Sequence, residues 1–465
     1  MSNLSIPKSV IERLKSTGVD YQCVELTDPM GINETAKYLK QDKASLIRVV
    51  ALKSSSRSVV AVLPYENFLD FKIISELMQC EFEVLNADDT AKLFNGCFDN
   101  SFAPVPEVFN CRLVIDSCLL DMDQVLMQSG DPNQLIKLDK VNANLLFQEC
   151  ESLDFACPED RFYAGRTAQQ ASDEIDLSFT QIRLKQRIDE TFDLPAMPEI
   201  AQDIMKLRVD PSADALKLSK IVTRDPSLAT QVISWASSPY YGYQGKVDSV
   251  ETAIARVLGF ELVMNLALGI SIGKSLKVPM EGPLGVREFW KQAIYSANLA
   301  EKICRAMPVN QRPERGLIYL SGLLHNFGHL LLGHIFPPQF KLVNASIEAN
   351  PHIAIEDIEF YILGVTHEEI GAWLMQNWHM PDELTVAVHR HHQEEFWSKH
   401  SVYSNIVLVA NRLLKRLNIG DAVATQVPAK TLELLSLNEE ILETALEDIQ
   451  SESETLDVMA KQLVA

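Results

Sequence analysis

Basic residues are scarce in this chain, and the scarcity limits what it can bind. The 465 residues include 42 Lys and Arg against 63 Asp and Glu, which gives a net charge of -21 at pH 7. Neutralising a nucleic-acid backbone requires clustered Lys and Arg, so this composition disfavours general nucleic-acid binding. A local basic patch is still compatible with the overall charge.

Paired cysteines and long apolar runs are also missing. The chain has no CxxC pair, and its cysteines are scattered over a long sequence, at Cys23, Cys80, Cys97, Cys111, Cys118, Cys150, Cys157 and Cys304. Such scatter favours free thiols in a reducing compartment over a disulfide framework or a zinc ribbon. No window reaches the roughly 20 apolar residues of a membrane span, and the first residues lack the pattern of a signal peptide. We therefore expect a cytoplasmic protein with no membrane partner.

Histidine is absent from residues 1–324 and 401–465, so all ten histidines fall between His325 and His400. The first of them opens the run His-Asn-Phe-Gly-His at residues 325–329. A metal-dependent hydrolase would require Asp after the first histidine, because a carboxylate can bridge two cations whereas the carboxamide of Asn326 is a neutral and weaker ligand. The run therefore combines the pattern of a hydrolase site with the loss of its central carboxylate.

The length predicts more than one domain, and the patterning changes along the chain. Up to residue 147, amphipathic helical stretches alternate with short β-branched runs, at residues 21–26, 47–52, 59–63, 111–115 and 135–138. This alternation predicts an α/β domain over residues 1–147. The run from Val59 to Leu63 is apolar throughout, which predicts a central strand buried on both faces and ended by Pro64.

The rest of the chain is predicted to be helical after a linker. Residues 148–181 are polar and mixed in composition, so we place a linker there. Residues 182–416 carry apolar side chains at spacings of three and four, which predicts an all-α domain. Residues 417–465 are acidic, but an apolar stripe from Ile441 to Ile449 favours a packed helical cap over an acidic recruitment tail.

Several motifs of the helical part agree in order and spacing with one known family. They lie at residues 194–199, 224–228, 234–242, 250–259, 289–292, 325–326, 367–371 and 378–381, followed by His389 and the pair at 391–392. In these motifs the chain resembles the HDOD domains, which are regulatory relatives of the HD-type metal phosphohydrolases. The resemblance implies an all-α fold that acts as an output or scaffolding domain in bacterial signalling, with a protein partner.

The same resemblance identifies a degenerate metal site. Catalytic HD enzymes hold metal with a His, a His-Asp pair and a later Asp, and the corresponding positions here are Gln292, His325, Asn326 and Asn411. One histidine and three amides provide no carboxylate for a divalent pair, so the resemblance implies no metal, no cofactor and no hydrolysis. His367 and His391 could still hold a single soft ion, but we expect them to form hydrogen bonds between packed helices.

The first 147 residues resemble a second family, the YbaK-type aminoacyl-tRNA deacylase domains, which hydrolyse mischarged tRNA. The motifs that carry this likeness lie at residues 45–52, 59–64, 69–72, 96–106, 113–116 and 128–131. The resemblance implies a mixed-sheet α/β fold that binds aminoacyl-tRNA or an amino acid. The expected fold class is therefore a YbaK-like α/β domain followed by an all-α HDOD domain.

The deacylase site is altered as well. In that family a lysine at the end of the first core strand orients the ester, and Arg48 occupies its place here. Asn100, Ser101 and Pro104 stand where the family has a glycine-containing loop. Arginine keeps the charge but presents a wide planar fork, and side chains on the loop would narrow the approach of the aminoacyl group. Alternatively, Arg48 is only a surface charge at a strand end.

These observations favour a regulatory or binding protein that is not a catalyst. On this hypothesis the first domain binds a ligand, and the helical domain passes the resulting state to a protein partner in a signalling pathway. One alternative is an aminoacyl-tRNA deacylase with an attached regulatory HDOD module. A second alternative is a metal-dependent phosphohydrolase or phosphodiesterase that uses the histidines.

Overall fold

The computed structural model describes residues 6–29, 31–39, 45–55, 57–98, 101–106, 108–109, 111–164, 195–238, 241–394 and 396–464. Asn100 and residues 165–181 of the expected linker lie outside this range. The chain forms two compact units: Met1–Ile175 with Ala345–Ile353, and Asp176–Asn344 with Ala354–Ala465. A short piece of the helical half of the sequence therefore belongs to the first unit.

The described residues of the first unit form ten strands. These are β1 Gln22–Glu25, β2 Ile47–Lys53, β3 Ser58–Pro64, β4 Phe68–Leu69, β5 Glu83–Val84, β6 Arg112–Asp116, β7 Gln124–Gln128, β8 Gln134–Asp139, β9 Glu151–Leu153 and β10 Ala156–Cys157. The main sheet is mixed, with the order β5-β2-β3-β6-β9. Strand β3 is antiparallel to β2 and parallel to β6. A three-stranded antiparallel sheet, β1-β8-β7, and a β10-β4 pair complete the strands.

The five predicted strands and the mixed α/β fold are confirmed. Residues 59–63 form the middle of the central strand and are fully buried, as their unbroken apolar run predicts. Strand β7 and the strands of two or three residues were not predicted. Segments of two or three residues are too short to show alternation. Strand β9 pairs in parallel with β6 inside the range that we assigned to the linker, so that range contributes to the sheet.

Among the described residues, five α-helices lie wholly within this unit: α1 Lys8–Ser16, α2 Ile32–Leu39, α3 Phe71–Met78, α4 Ala87–Leu93 and α5 Lys140–Phe147. The side chains of Asp70, Asn86 and Asp139 cap the amino termini of α3, α4 and α5 by accepting hydrogen bonds from backbone N–H groups. Such caps satisfy donors that have no partner within the helix. Helices α1 and α5 bury Val10, Leu14 and Phe147 in a core shared with β3 and β6.

The described part of the second unit is helical. Its helices are α6 Glu199–Arg208, α7 Ala215–Val222, α8 Pro226–Ala236, α9 Val250–Thr252, α10 Phe260–Lys274, α11 Val286–Ala306, α12 Arg315–Leu324, α13 Phe327–Ile335, α14 Pro337–Ala349, α15 Ile355–Leu363, α16 His367–Asn377, α17 Asp382–Arg390, α18 Ser401–Arg416, α19 Ala429–Leu435, α20 Glu439–Ser451 and α21 Ser453–Val464. The end of α14 lies in the first unit. Within the described residues, none of the helices combines the length and apolarity needed to cross a membrane.

The apolar spacing is continuous from Leu317 to Leu331, but no single helix runs through it. The helix breaks between α12 and α13, because Asn326 has φ -95 and ψ 18 and leaves the helical conformation. The predicted helical cap agrees with the structure. Helices α20 and α21 pack against α11, and Leu442 and Ile449 are fully buried.

Candidate functional site

A buried cluster of imidazoles, carboxylates and amides lies in the second unit, and we call it the histidine cluster. Helix α11 contributes Gln292, the break between α12 and α13 contributes His325 and Asn326, and later elements contribute His329, Glu359, His367, His391, His392 and Asp421. Gly328 allows this convergence, because a Cβ atom there would lie 1.9 Å from the carbonyl oxygen of His367. Helices α13 and α16 can therefore approach each other only with glycine at this position.

The carboxylate of Asp421 is the acceptor at one end of the cluster. The amide Nε2 of Gln292 donates to its Oδ1 at 2.6 Å, and Nδ2 of Asn326 donates to its Oδ2 at 2.8 Å. Nδ2 of Asn326 also donates to Oε1 of Gln292 at 3.1 Å. Asp421 follows Gly420, which has φ +88, and this turn brings the carboxylate to Gln292. Both oxygens of Asp421 thus accept hydrogen bonds from amide groups. These amides stand at the two positions, 292 and 326, that correspond to metal ligands in catalytic HD enzymes.

His392 provides a positive charge beside Asp421. Its Nε2 lies 3.4 Å from Oδ2 of Asp421. Burial opposes the charged imidazolium, but the negative charges of Glu356 and Asp421 outweigh burial and raise the pKa of His392 to about 10. Burial likewise opposes the carboxylate of Asp421, but His392 and the other nearby imidazoles hold its pKa well below the usual value. The pair is therefore charged at neutral pH.

A second acid, Glu359, organises the other end. Its Oε2 lies 2.7 Å from Nδ1 of His367 and accepts the backbone N–H of the same residue at 2.8 Å. Its Oε1 lies 2.9 Å from Nε2 of His329. Burial opposes ionisation of Glu359, but the neighbouring His367 and His329 keep its pKa below the usual value. In turn Glu359 overcomes the effect of burial on His367 and raises its pKa.

Two further histidines are held in the neutral form. Nδ1 of His325 contacts the carbonyl of Gly322 at 2.8 Å, and Nδ1 of His391 contacts the carbonyl of Val388 at 2.8 Å. Burial lowers the pKa of His325 to about 4 and the pKa of His391 well below its ordinary value. Nε2 of His391 lies 3.3 Å from Nε2 of His367, so the two ends of the cluster meet there.

The structure corrects part of the sequence-based site. Gln292, His325, Asn326, His367 and His391 lie together, as expected. Asn411 is buried on α18, but its Oδ1 accepts from Ser296, and the carboxylate that contacts Gln292 and Asn326 is Asp421. The four aligned positions carry no carboxylate, but Asp421 and Glu359 supply two to the cluster as a whole.

Two sets of side chains could hold a metal ion by geometry. They are His367, His391, His392 and Asp421, and His329, Glu359 and His367, each with ligand atoms within 4.8 Å of one another. His367 is common to both sets. The chemistry of the donors argues against a metal pair, because amides donate to both oxygens of Asp421 and, among the described residues, no carboxylate belongs to both sets. The sequence signal that could have found Asp421 is weak: a Gly-Asp turn after α18.

The first unit contains a separate site around Arg48 on β2. The guanidinium is buried, with 5% of the side chain exposed, so the alternative of a surface charge is wrong. Its Nη1 donates to the carbonyl of Ala349 at 2.5 Å, and its Nη2 donates to Oδ1 of Asn350 at 2.7 Å and to the carbonyl of Asn67 at 3.0 Å. Burial lowers the pKa of Arg48 to about 9, which leaves it charged at neutral pH.

The predicted loop residues do not contact Arg48 in the described part of the chain. Ser101 is 1% exposed, and its backbone N–H donates to the carbonyl of Phe98 at 2.8 Å. Pro104 is buried as well, and Asn100 lies outside the described residues. No local pattern indicated the partners at residues 345–353, which are separated from Arg48 by about 300 positions and lie within another predicted domain.

Comparisons with known proteins agree with both folds. The model of the HDOD domain matches residues 194–394, and the model of the aminoacyl-tRNA editing domain matches residues 29–142. A crystal structure from Marinobacter aquaeolei VT8, of a protein assigned to signal transduction, is 31% identical and has a TM-score of 0.80. That match covers 99% of this chain and 100% of the other.

Two other relatives are more distant. An uncharacterized protein of Treponema pallidum (strain Nichols) is 24% identical over 274 residues, which are 57% of this chain and 51% of that relative, so the match spans about half of its length. An HDOD domain protein with unknown function from Geobacter sulfurreducens is 19% identical, with a TM-score of 0.48 over 66% of this chain and 98% of that one. The chain belongs to the HDOD family and carries an aminoacyl-tRNA editing domain before its HDOD domain.

Proposed function

We propose that this protein is a cytoplasmic regulatory HDOD protein. Its second compact unit, which we call the helical unit, binds a protein partner and does not hydrolyse phosphate esters. The observation that carries the proposal is the bonding of Asp421, whose two oxygens accept hydrogen bonds from the amides of Gln292 and Asn326. Catalysis by a metal pair needs carboxylates free to bind and bridge cations. Here the only acid in contact with these two positions, within the described residues, is already satisfied by neutral donors.

The charge of the cluster supports the same conclusion. A buried carboxylate requires a nearby positive charge, which a metal ion supplies in a hydrolase. Beside Asp421 this role is met by His392, whose pKa is raised to about 10 by Glu356 and Asp421 against the effect of burial. The histidine cluster thus meets the charge of Asp421 without an ion, although Oδ1 of Asn326 accepts no hydrogen bond among the described residues. We infer that it stabilises the helical unit and fixes the surface that a partner contacts.

A role in signalling is supported by the Marinobacter protein, which is assigned to signal transduction and matches this chain over nearly its whole length. In this proposal the first compact unit, which we call the editing unit, binds a ligand. The helical unit then passes the ligand-bound state to the partner. Affinity capture with the full-length chain should retain a specific protein. Bait carrying Asp421→Ala, which destabilises the helical unit, should retain less of that protein.

The test of the non-hydrolytic role is metal analysis combined with an activity assay. The purified full-length chain is expected to contain no stoichiometric transition metal, and to release no nitrophenol from bis(p-nitrophenyl) phosphate above the buffer rate with added Mn²⁺. Asn326→Asp should also be inactive, because Gln292 still donates to Asp421. Stoichiometric metal together with Mn²⁺-dependent hydrolysis by the wild-type chain would show that the proposal is wrong.

A second candidate function is hydrolysis of mischarged tRNA by the editing unit, which the match to the aminoacyl-tRNA editing domain favours. The side chain that replaces the family's lysine is buried and has its donors on Ala349, Asn350 and Asn67, which argues against free access of an ester. Incubation of the full-length chain with a panel of mischarged tRNAs tests this function. Release of amino acid above the buffer rate would support it over ligand binding alone.

A further inference from the structure

We propose that the Arg48 site of the editing unit is a binding site for carbonyl oxygens that is occupied by residues 345–353 of the same chain. These nine residues belong to the HDOD sequence by the family match, but they are part of the first compact unit. We call them the inserted segment. The proposal concerns the first unit and does not depend on the state of the histidine cluster.

The contacts of Asn350 carry the assignment. Its Oδ1 accepts from Nη2 of Arg48 at 2.7 Å and from the backbone N–H of Leu69 at 2.8 Å. Its Nδ2 donates to the carbonyl of Ser346 at 2.8 Å and to the carbonyl of Leu69 at 3.3 Å. The residue is fully buried. A single carboxamide therefore satisfies both backbone groups of Leu69 on β4 and one donor of Arg48, as a bound amide ligand would.

The electrostatics of the site explain why the end of a helix fits it. Helix α14 ends at Ala349, and Nη1 of Arg48 donates to the carbonyl of that residue at 2.5 Å. The last carbonyls of a helix have no partner within the helix and carry partial negative charge, so a cation is favourable there. Among the described residues, Arg48 makes no ion pair with an acid. Its charge is met by neutral oxygens, each of which another carbonyl or ester could replace.

The rest of the inserted segment is also held by the editing unit. The ring of His352 lies over Tyr65, with ring centroids 4.6 Å apart, and Ile353 is 8% exposed. Tyr65 directly follows β3, and its backbone N–H donates to the carbonyl of Leu46. A carbonyl-bearing ligand, such as an aminoacyl ester, can therefore reach Arg48 only if the inserted segment leaves. Ligand binding and the present position of the segment exclude each other.

Hydrogen exchange on the full-length chain tests this arrangement. In the wild type the amides of residues 345–353 should be protected, and Arg48→Ala should speed their exchange roughly tenfold or more, because the carbonyl of Ala349 and Oδ1 of Asn350 each lose a donor. Arg57→Ala is the matched control, since Nη2 of Arg57 also donates to a carbonyl at a helix end, that of Met78 at 3.1 Å, but Arg57 itself is exposed. It should leave exchange at 345–353 unchanged.

A second variant separates release of the segment from general unfolding. Asn350→Ala removes the carboxamide and leaves Arg48 in place, so it should speed exchange in residues 345–353 and at Leu69 while the central strand β3 stays protected. The same preparation is then titrated with puromycin, an aminonucleoside with an amide in place of the ester. Binding to Asn350→Ala at least roughly tenfold tighter than to the wild type is expected, because the occupant no longer competes.

Hydrogen exchange and puromycin binding together decide whether the Arg48 site is an occupied binding site. Faster exchange confined to the inserted segment and Leu69, with tighter binding of puromycin to Asn350→Ala, supports an occupied site. Unchanged exchange in both Arg48→Ala and Asn350→Ala, or equal puromycin binding by the wild type and Asn350→Ala, overturns it. Metal-dependent hydrolysis would instead overturn the proposed function of the helical unit and would leave these exchange results as they are.

Discussion

The histidine cluster and the Arg48 site are both buried, but they meet their charges in different ways. In the cluster, Asp421 faces the raised-pKa imidazole of His392, and Glu359 lies between His329 and His367. In the editing unit, Arg48 faces only uncharged oxygens among its hydrogen-bond partners. In a buried ion pair, each charge needs its partner to stay ionised. A cation that donates to carbonyl oxygens can donate equally to another neutral oxygen in the same place.

The difference indicates which site is fixed and which is exchangeable. Removing one member of a buried ion pair leaves an opposite charge without compensation, and this costs far more than the pair contributes. Removing one carbonyl from Arg48 costs about as much as one hydrogen bond to a charged group. We therefore expect the histidine cluster to behave as part of the helical core and the Arg48 site to behave as a switch between occupants.

The largest effect should come from removing Asp421. Asp421→Ala leaves the buried imidazolium of His392 with fewer negative neighbours and leaves the amides of Gln292 and Asn326 without their acceptor. We expect a loss of about 3–5 kcal/mol in the free energy of unfolding of the helical unit. The measurement is native-state hydrogen exchange at the most protected amides of α11.

Asp203→Ala is the control for that prediction. Asp203 pairs with Arg224 at 2.9 Å on the surface of the same unit, and both side chains are partly exposed. Its removal should cost about 0–1 kcal/mol, because solvent screens such pairs. If Asp421→Ala and Asp203→Ala were equally stable, the charges of the histidine cluster would contribute no more to the free energy of unfolding than surface charges do. The histidine cluster would then not be the fixed site of the two.

The close approach of α13 and α16 gives the next prediction. Gly328→Ala places a Cβ atom 1.9 Å from the carbonyl oxygen of His367, so the helices must separate. We expect a loss of about 1–3 kcal/mol in the stability of the helical unit, typical of overpacking, measured by the same exchange of α11 amides. Gly316→Ala is the control, because the nearest atom there is Oε2 of Glu261 at 2.9 Å, the movable end of an exposed side chain. Equal losses of stability in Gly328→Ala and Gly316→Ala would show that the close approach of α13 and α16 does not require glycine at position 328.

The pH dependence of stability follows from the opposite shifts within the cluster. The pKa of His392 is raised from 6.5 to about 10, so the folded state holds an extra proton above pH 6.5, and this stability is lost as the pH rises through about 10. The pKa of His325 is lowered to about 4, so the unfolded state binds its proton first as the pH falls below 6.5. Stability of the helical unit should therefore be highest near pH 6.5.

The measurement is the exchange of α11 amides, corrected for intrinsic rates, between pH 5 and 9. Each net proton changes the free energy of unfolding by at most about 1.4 kcal/mol per pH unit. The Arg48 site should show no comparable dependence between pH 5 and about 8, because the pKa of Arg48 is lowered only to about 9 and its hydrogen-bond partners there are backbone carbonyls and a carboxamide. His392→Gln should reduce the fall in the free energy of unfolding above pH 6.5. An unchanged fall would show that groups other than His392 cause it.

Patterning predicted most of the fold. The apolar run at residues 59–63 identified the central strand, and apolar spacing identified the helical unit, because both signals are local and periodic. The break at Asn326 could not be predicted in this way, since the apolar spacing of Leu320, Leu324 and Phe327 continues through it. Strand β9 was missed for a related reason: its three residues gain their stability from parallel pairing with β6, which no local pattern shows.

The sites were predicted less completely than the fold. Gln292, His325 and Asn326 were placed correctly because the family motifs are aligned along the sequence. The partner of these residues, Asp421, comes from a turn after α18, where a single glycine at positive φ redirects the chain. Asn350 could not be predicted at all, because a buried asparagine looks like a surface residue in sequence. Its role depends on contacts with strands about 280 positions away.

The smallest expected effect distinguishes charge from geometry at the Arg48 site. Arg48→Lys restores the type of side chain that the family has, but an ammonium on a flexible stem cannot span the oxygens of Ala349, Asn350 and Asn67 as the planar fork does. We expect the inserted segment to lose about 1 kcal/mol of protection, the net contribution of one hydrogen bond, and therefore less than in Arg48→Ala. Exchange at residues 345–353 measures this loss, with Arg57→Lys as the matched control. If Arg48→Lys released the segment as fully as Arg48→Ala, the planar guanidinium and not the positive charge would hold the segment. A family member with lysine at this position would then leave its site open to an ester.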